Sequence, residues 1–482
     1  MKRILLLAAL TLGASAAPAA ALAGEPSGLP REGDTLPYQT TAAYSKSVQV
    51  DDLLAPWSKG DTPGAAVLVI QKGQILMKKG YGLANLESKT AIGPDTAFDL
   101  ASVSKQFTSM AIMILAERGK LSFDDPLSKF FPEFPSHAQK TTVKNLLNHT
   151  SGLPDYMELF VKTGKIDKDN KPGGFEPTSK DALELLAHQP ELRFAPGDKW
   201  EYSNSGYMVL AQIIEKASRE RYAQFLKENI FQPLGMNRTL VYDDTRPEVR
   251  NRAISYERTE SGYKNIDYNA LNLIYGDGNV NTTVQDMYKW DQVLYTEKLI
   301  KQSTLLQAFT SGKLNNGKET GYGFGWGVAD YLGLRRVSHS GGWAGFRTHI
   351  SRFPAQRFTV VVLSNLGQFN PGVIANKIAK IYLAEKMTFP VAIKVGPEVL
   401  QRYVGRYELA PDDIATVSFE DGSLWLKPPQ GEKDKLVPIS ETDFFVEDGE
   451  EVRFTFHLDK DGNATSLTRH YYGDVTALRK GH

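Results

Sequence analysis

The stretch Phe98-Asp99-Leu100-Ala101-Ser102-Val103-Ser104-Lys105 runs into Met110 to Ala116, a segment apolar on every side. That texture predicts a helix from Ser102 to Arg118, buried in a domain centre and stopped by Gly119. Ser102 and Lys105 stand three residues apart, so on a helix they share one face, the amine about one turn beyond the hydroxyl. A serine in the first turn also meets the positive end of the helix dipole. Backbone N–H groups there lack helical partners and can stabilise an oxyanion. On this stretch alone, a plainer reading makes Ser102 an N-cap and sends the Lys105 head to solvent.

Working outward, Tyr202-Ser203-Asn204 stands just before a helix predicted from Gly206 to Ala217. Tyrosine titrates near about 10, so it acts as a base at neutral pH only if a positive neighbour such as Lys105 holds its phenolate. The plainer reading is a core aromatic followed by a helix cap at Asn204. His339-Ser340-Gly341-Gly342 falls between predicted strands Leu334 to Val337 and Gly345 to Arg352. Its glycines would admit a substrate backbone, and a strand-edge N–H there can complete an oxyanion hole. A lone Ser-x-x-Lys carries little weight, and the chain supplies its own control in Ser261-Gly262-Tyr263-Lys264. That copy lies in a polar stretch with no apolar helix behind it and reads as a surface turn. Three motifs in this order, each in suitable surroundings, point to serine acyl transfer.

Composition narrows the class. With 482 residues, 41% apolar and 10% aromatic, the chain can build more than one globular domain. Lys and Arg total 56 against 56 Asp and Glu with no basic tract, which argues against nucleic acid as a partner. Residues 1–23 carry Lys2-Arg3, an apolar stretch from Ile4 and Ala21-Leu22-Ala23, and read as a signal peptide cut after Ala23. No cysteine occurs, so disulfides and thiolate nucleophiles are excluded. A periplasmic or secreted protein with no stable membrane insertion after cleavage is expected.

Residues 24–44, rich in Gly, Pro and Thr, read as a mobile arm. Ala65 to Ile70 and Gln74 to Tyr81 predict a hairpin, and Gly345 to Arg352 with Phe358 to Leu363 a second strand pair, so one sheet draws on both ends of residues 45–390. Helical segments lie between, among them Val143 to Asn148, Asp286 to Tyr295 and, later, Ile374 to Leu383. Lys162 to Thr178 is breaker-rich and reads as a surface loop. Residues 398–482 alternate in short segments broken by Asp421-Gly422, Asp448-Gly449 and Asp461-Gly462. They predict a small antiparallel β-domain, with a barrel as one arrangement. No Gly-x-Ser-x-Gly elbow, His-Glu-x-x-His, Walker loop or dinucleotide fingerprint occurs, and no metal or cofactor is expected.

With these motifs the chain resembles the serine β-lactamase and penicillin-binding-protein superfamily, in particular its class C-like esterases and D-amino-acid peptidases. Leu146-Leu147-Asn148-His149-Thr150-Ser151-Gly152-Leu153, Phe231-Gln232-Pro233-Leu234-Gly235-Met236 and Tyr322-Gly323-Phe324-Gly325-Trp326 also match that branch. The resemblance implies an α/β (α+β) fold, an antiparallel sheet flanked by helices with a helical subdomain. It implies that Ser102 attacks the acyl carbon, that Lys105 and Tyr202 handle its proton, and that Asn204 holds substrate or Lys105. The N–H groups of Ser102 and Gly342 would form the oxyanion hole beside His339 and Gly341. β-Lactamases usually carry Lys where this chain has His339, and an imidazole is largely neutral near pH 7. The expectation is therefore an exported hydrolase acting on an ester or a D-amino-acid-containing peptide or amide. A β-lactamase or D-alanyl-D-alanine carboxypeptidase, and a non-catalytic protein that binds cell-wall material, are the alternatives. Substrates would be small-molecule esters, peptides or peptidoglycan-like compounds, and Arg469-His470-Tyr471-Tyr472-Gly473 is the stretch of the β-domain that could reach the site.

Overall fold

The computed structural model describes residues 45–164, 166, 174–410, 413–429, 433–447, 449–470 and 474–480. The expected signal peptide and arm lie outside them. Six strands form one antiparallel sheet: β1 (Ala65–Gln71), β2 (Gln74–Tyr81), β3 (Gly327–Tyr331), β4 (Leu334–Trp343), β5 (Phe346–Phe353) and β6 (Phe358–Ser364), in the order β3-β4-β5-β6-β1-β2. The two ends of the region meet where Ala65 pairs with Ser364.

The central strands read as unbroken apolar runs because both faces are covered. Successive side chains alternate across a strand, so β1 sends Ala65, Val67 and Val69 into one core and Ala66, Leu68 and Ile70 into the other. Helices α1 (Lys46–Leu54) and α5 (Pro371–Leu383) close the first core. Helices α2 (Lys105–Glu117), α3 (Asn204–Ser218) and α4 (Val284–Val293) build the second. Each fully buried Val, Leu or Ile contributes roughly 1.5–3 kcal/mol. Phe107 of α2 lies between Phe231 and Trp290, with ring centroids 5.5 and 4.3 Å away, which gives the Phe231–Met236 segment its structural reason. A buried ion pair fastens α4 to the sheet: Arg352 Nε donates to Asp291 Oδ1 at 2.7 Å, and Thr359 Oγ1 donates to the same oxygen at 2.7 Å.

Beyond the linker, Gly405–Ala410, Asp413–Glu420, Ser423–Lys427, Asp434–Pro438, Asp443–Val446, Gly449–Leu458, Ala464–His470 and Asp474–Arg479 form a closed antiparallel barrel. Tyr403, Tyr407, Phe444, Phe454 and Phe456 fill it. Closure removes the exposed edges that eight short strands would otherwise present. The turn-rich texture accounts for the β-character of this part, and pairing of its first strand with its last, Tyr407 opposite Arg479, closes the barrel.

Three local readings are corrected. Ser102 lies not in an α-helix but in a 3-10 turn, Ala101–Ser104, and the α-helix begins at Lys105. His339-Ser340-Gly341-Gly342 is not a connection between strands, since β4 runs through it to Trp343. Arg469 and His470 end a barrel strand, while Tyr471 to Gly473 lie outside the described residues.

Candidate active site

The turn carrying Ser102 is held on three sides. Ala101 adopts φ +48°, a left-handed conformation costly for a residue with a Cβ. Its N–H donates to Asp99 Oδ1 at 2.7 Å, Leu100 N–H donates to Val280 O at 2.9 Å, and Thr348 Oγ1 donates to Leu100 O at 2.7 Å. Strand β4 lies directly against this turn. A Cβ on Gly341 would sit 2.3 Å from both Leu100 O and Thr348 Oγ1. The glycine is thus required by the protein's own packing, a different reason from the substrate approach expected of it. At Gly342, by contrast, the nearest atom to such a Cβ is Arg347 Nη1 at 3.6 Å, and the residue is exposed.

Lys105 is completely buried, which removes the reading of a solvent-seeking side chain. Its Nζ donates to Ser102 Oγ at 3.0 Å, to Asn204 Oδ1 at 3.0 Å and to the backbone oxygen of Asp277 at 2.8 Å. Burial penalises the ammonium, and although Asp277 and Asp155 oppose it, the amine falls to about 8 from its ordinary 10.5. The three acceptors differ in one respect. A carbonyl and an amide oxygen can only accept, whereas the Ser102 hydroxyl can also donate. On loss of a proton from the amine, the serine contact is therefore the one that reverses.

Asn204 is the first residue of α3; Ser203 is the cap, its hydroxyl accepting from Gly206 N–H. The amide of Asn204 is oriented by Asp155, whose Oδ2 accepts from Asn204 N at 2.9 Å and Nδ2 at 3.1 Å. This leaves Oδ1 for Lys105. Asp277 Oδ2 accepts from Tyr156 Oη at 2.9 Å, Oδ1 is buried without a hydrogen-bond partner, and burial raises the carboxyl to about 6.

Tyr202 lies with its ring 4.9 Å from Lys105 Nζ, and a hydrogen bond links its hydroxyl to Ser102. Burial holds the phenol well above its usual 10, so it is protonated at neutral pH. Against it His149, at φ +59°, packs its ring at a tilt with the centroid 4.3 Å from that of Tyr202, and accepts from Ser203 N–H at 3.2 Å. His339 Nδ1 bonds its neighbour's carbonyl, Ser340 O, at 2.6 Å, and its Nε2 pairs with Tyr322 Oη at 2.8 Å. A carbonyl can only accept, so Nδ1 carries the proton and Tyr322 donates to Nε2. Burial, then the charge of Lys105, push the imidazole down to about 3, so it is neutral.

The turn, α2, α3 and β4 thus bring Ser102, Lys105, Tyr202, Asn204, His339 and Gly341 into one cluster, with Gly342 at its exposed margin. Sequence reasoning missed Asp155, Tyr156 and Asp277, which carry no spacing signal. His149 and Tyr322 sat in quoted segments to which no chemistry was attached. The control copy at Ser261 is an exposed hairpin. Among the described residues no cluster of His, Asp and Glu is placed to hold a metal ion, and no helix is long and apolar enough to cross a membrane. A cleft of about 400 Å³ on the barrel, lined by Asp443, Arg453, Thr455 and His470, is separate from this cluster.

Comparison with known proteins gives two family matches: Beta-lactamase over residues 48–384, and a domain of unknown function, DUF3471, over 390–479. Penicillin-binding protein 4* of Bacillus subtilis (strain 168) is 33% identical over 441 residues, covering 84% of this chain and 94% of that protein. The octameric penicillin-binding protein homologue from Pyrococcus abyssi superposes with a TM-score of 0.63 at 24% identity, over 90% of this chain and 100% of that one. The D-amino acid amidase from Ochrobactrum anthropi SV3 gives 0.59 at 22% identity, over 71% and 98%.

Proposed function

The chain belongs to the β-lactamase family, and from that premise we propose that it is an exported serine hydrolase that forms an acyl-enzyme at Ser102. The observation that carries the reading is the buried Lys105 amine, 3.0 Å from Ser102 Oγ and lowered to about 8. In its neutral form Lys105 takes the serine proton as Ser102 attacks the acyl carbon. Tyr202, protonated and bonded to Ser102, passes a proton to the departing group. The N–H groups of Ser102 and Gly342 face the developing oxyanion. Water then releases the acyl group by the same steps in reverse.

The substrate is an ester, or a peptide or amide containing a D-amino acid. A neutral His339, its two ring nitrogens engaged by Ser340 O and Tyr322, offers no positive charge to a substrate carboxylate. This favours esters and amino-terminal residues over the carboxylate-bearing substrates of a β-lactamase or carboxypeptidase. Export rests on the composition of residues 1–23.

The test is to treat the mature protein separately with a fluorophosphonate and a fluorescent penicillin and to map the adduct. Fluorophosphonate at Ser102, absent in Ser102→Ala, is the expected result. Penicillin labelling as well would bring the carboxylate-bearing substrates back. No labelling of folded protein by either would replace the hydrolase with a binding protein.

A further inference from the structure

Resting on that reading, the geometry points to a tie between Trp343 and Asn272 that closes the acyl end of the substrate groove and restricts the enzyme to small acyl groups. Strand β3 ends opposite Ser338, and among the described residues no strand pairs with that edge of β4 beyond it, from His339 to Trp343. This open edge is one wall of the groove. The other is the segment 272–279, which passes Ser102 closely: Asp277 O accepts from Lys105, and a Cβ on Gly278 would lie 4.0 Å from Ala101. Ser102 therefore sits on the floor between two walls.

Direction along the groove follows from the chemistry. The leaving group must collect its proton, so it lies towards Tyr202, whose ring centroid is 6.2 Å from that of His339. The acyl group then extends the other way along β4, past Gly342 towards Trp343. Alternation puts His339, Gly341 and Trp343 on one face. At Trp343 the walls are joined: its Nε1 donates to Asn272 Oδ1 at 2.6 Å.

Both ends of this link are rigid. Asn279 Nδ2 donates to Asn272 O at 2.7 Å and to Ile274 O at 2.8 Å, and Tyr275 N donates to Ser179 Oγ at 3.1 Å. On the other side, Arg347 Nη1 donates to Ala344 O at 3.0 Å and Phe346 O at 2.7 Å, and Gly345 N donates to Ser255 Oγ at 3.1 Å. An acyl chain longer than a few carbons meets an indole that cannot swing aside.

The experiment measures kcat/KM for p-nitrophenyl acetate, butyrate and octanoate, with fluorophosphonate labelling of Ser102 alongside. Trp343→Ala and Asn272→Ala should raise the octanoate-to-acetate ratio at least about tenfold. Trp343→Phe keeps an aromatic ring but removes the donor and part of the indole, so it should widen the profile less while guarding against a folding defect. An unchanged ratio in folded, labelled Asn272→Ala and Trp343→Phe overturns the tie and leaves the hydrolase intact. A wild-type protein that is not labelled at Ser102 overturns the hydrolase, and the tie with it.

Discussion

If Lys105 is the base, the wild-type enzyme should show a rising limb in kcat/KM that follows one ionisation near pH 8. An ordinary lysine at 10.5 would be neutral in about one molecule in three thousand at pH 7; lowered to about 8, it is neutral in about one in ten. Relative to its plateau the rate should be about 1% at pH 6, about 9% at pH 7 and half at pH 8. Asp277→Asn sharpens the test. It keeps an acceptor for Tyr156 and the backbone oxygen that binds Nζ, but removes an anion that favours the ammonium. The limb should move to lower pH by about 1–2 units. Initial rates on a neutral ester at constant ionic strength, corrected for spontaneous hydrolysis, measure it. A limb at or above pH 10 would give the base role to the Tyr202 phenolate. A limb that stays in place or rises in Asp277→Asn would refute the electrostatic link.

Gly341→Ala should cut kcat/KM about a hundredfold by pushing β4 away from the Leu100–Ala101 turn, while Gly342→Ala, whose Cβ would make only ordinary van der Waals contact with the Arg347 side chain, should change it several-fold at most; steady-state kinetics on one ester compares them. Asp291→Ala should lower stability by about 3–5 kcal/mol in urea unfolding, because Arg352 is left charged and unpaired in the core; a loss below about 1 kcal/mol would contradict the packing. His349, buried between Ser340 and Ser351, is pushed down to about 3, so the native state keeps it neutral while the unfolded chain takes up a proton below about 6.5. Between pH 7 and 5 the wild type should therefore lose about 2 kcal/mol relative to His349→Gln, measured by denaturant unfolding at each pH.

What was readable in the sequence was what repeats over several residues. The apolar run after Lys105 marked a buried helix, the runs Ala65 to Ile70 and Gln74 to Tyr81 flanking Lys72-Gly73 marked a hairpin, and the Asp-Gly pairs marked the β-rich end. The nucleophile's local geometry was not readable, because the turn at Ala101 is held not only by Asp99 beside it but by Val280 and Thr348 from elsewhere in the chain. The same holds for Asp277, which reaches Lys105 from a position 172 residues further along. His339 was noticed by its type, but how far its imidazole is pushed down depends on burial and on the charge of Lys105, neither of which spacing reveals.

The pairing of Ala65 with Ser364 has a consequence for how the protein comes into being. The hairpin of β1 and β2 is made early in synthesis, yet its open side waits for the last strand of the sheet. The wall beside Ser102 belongs to β4, which is also made late. Closing so long a loop before its contacts repay the entropy is slow. A growing chain therefore carries its serine and lysine for most of synthesis without the surroundings that make them reactive, and activity switches on only when nearly the whole domain is available to fold.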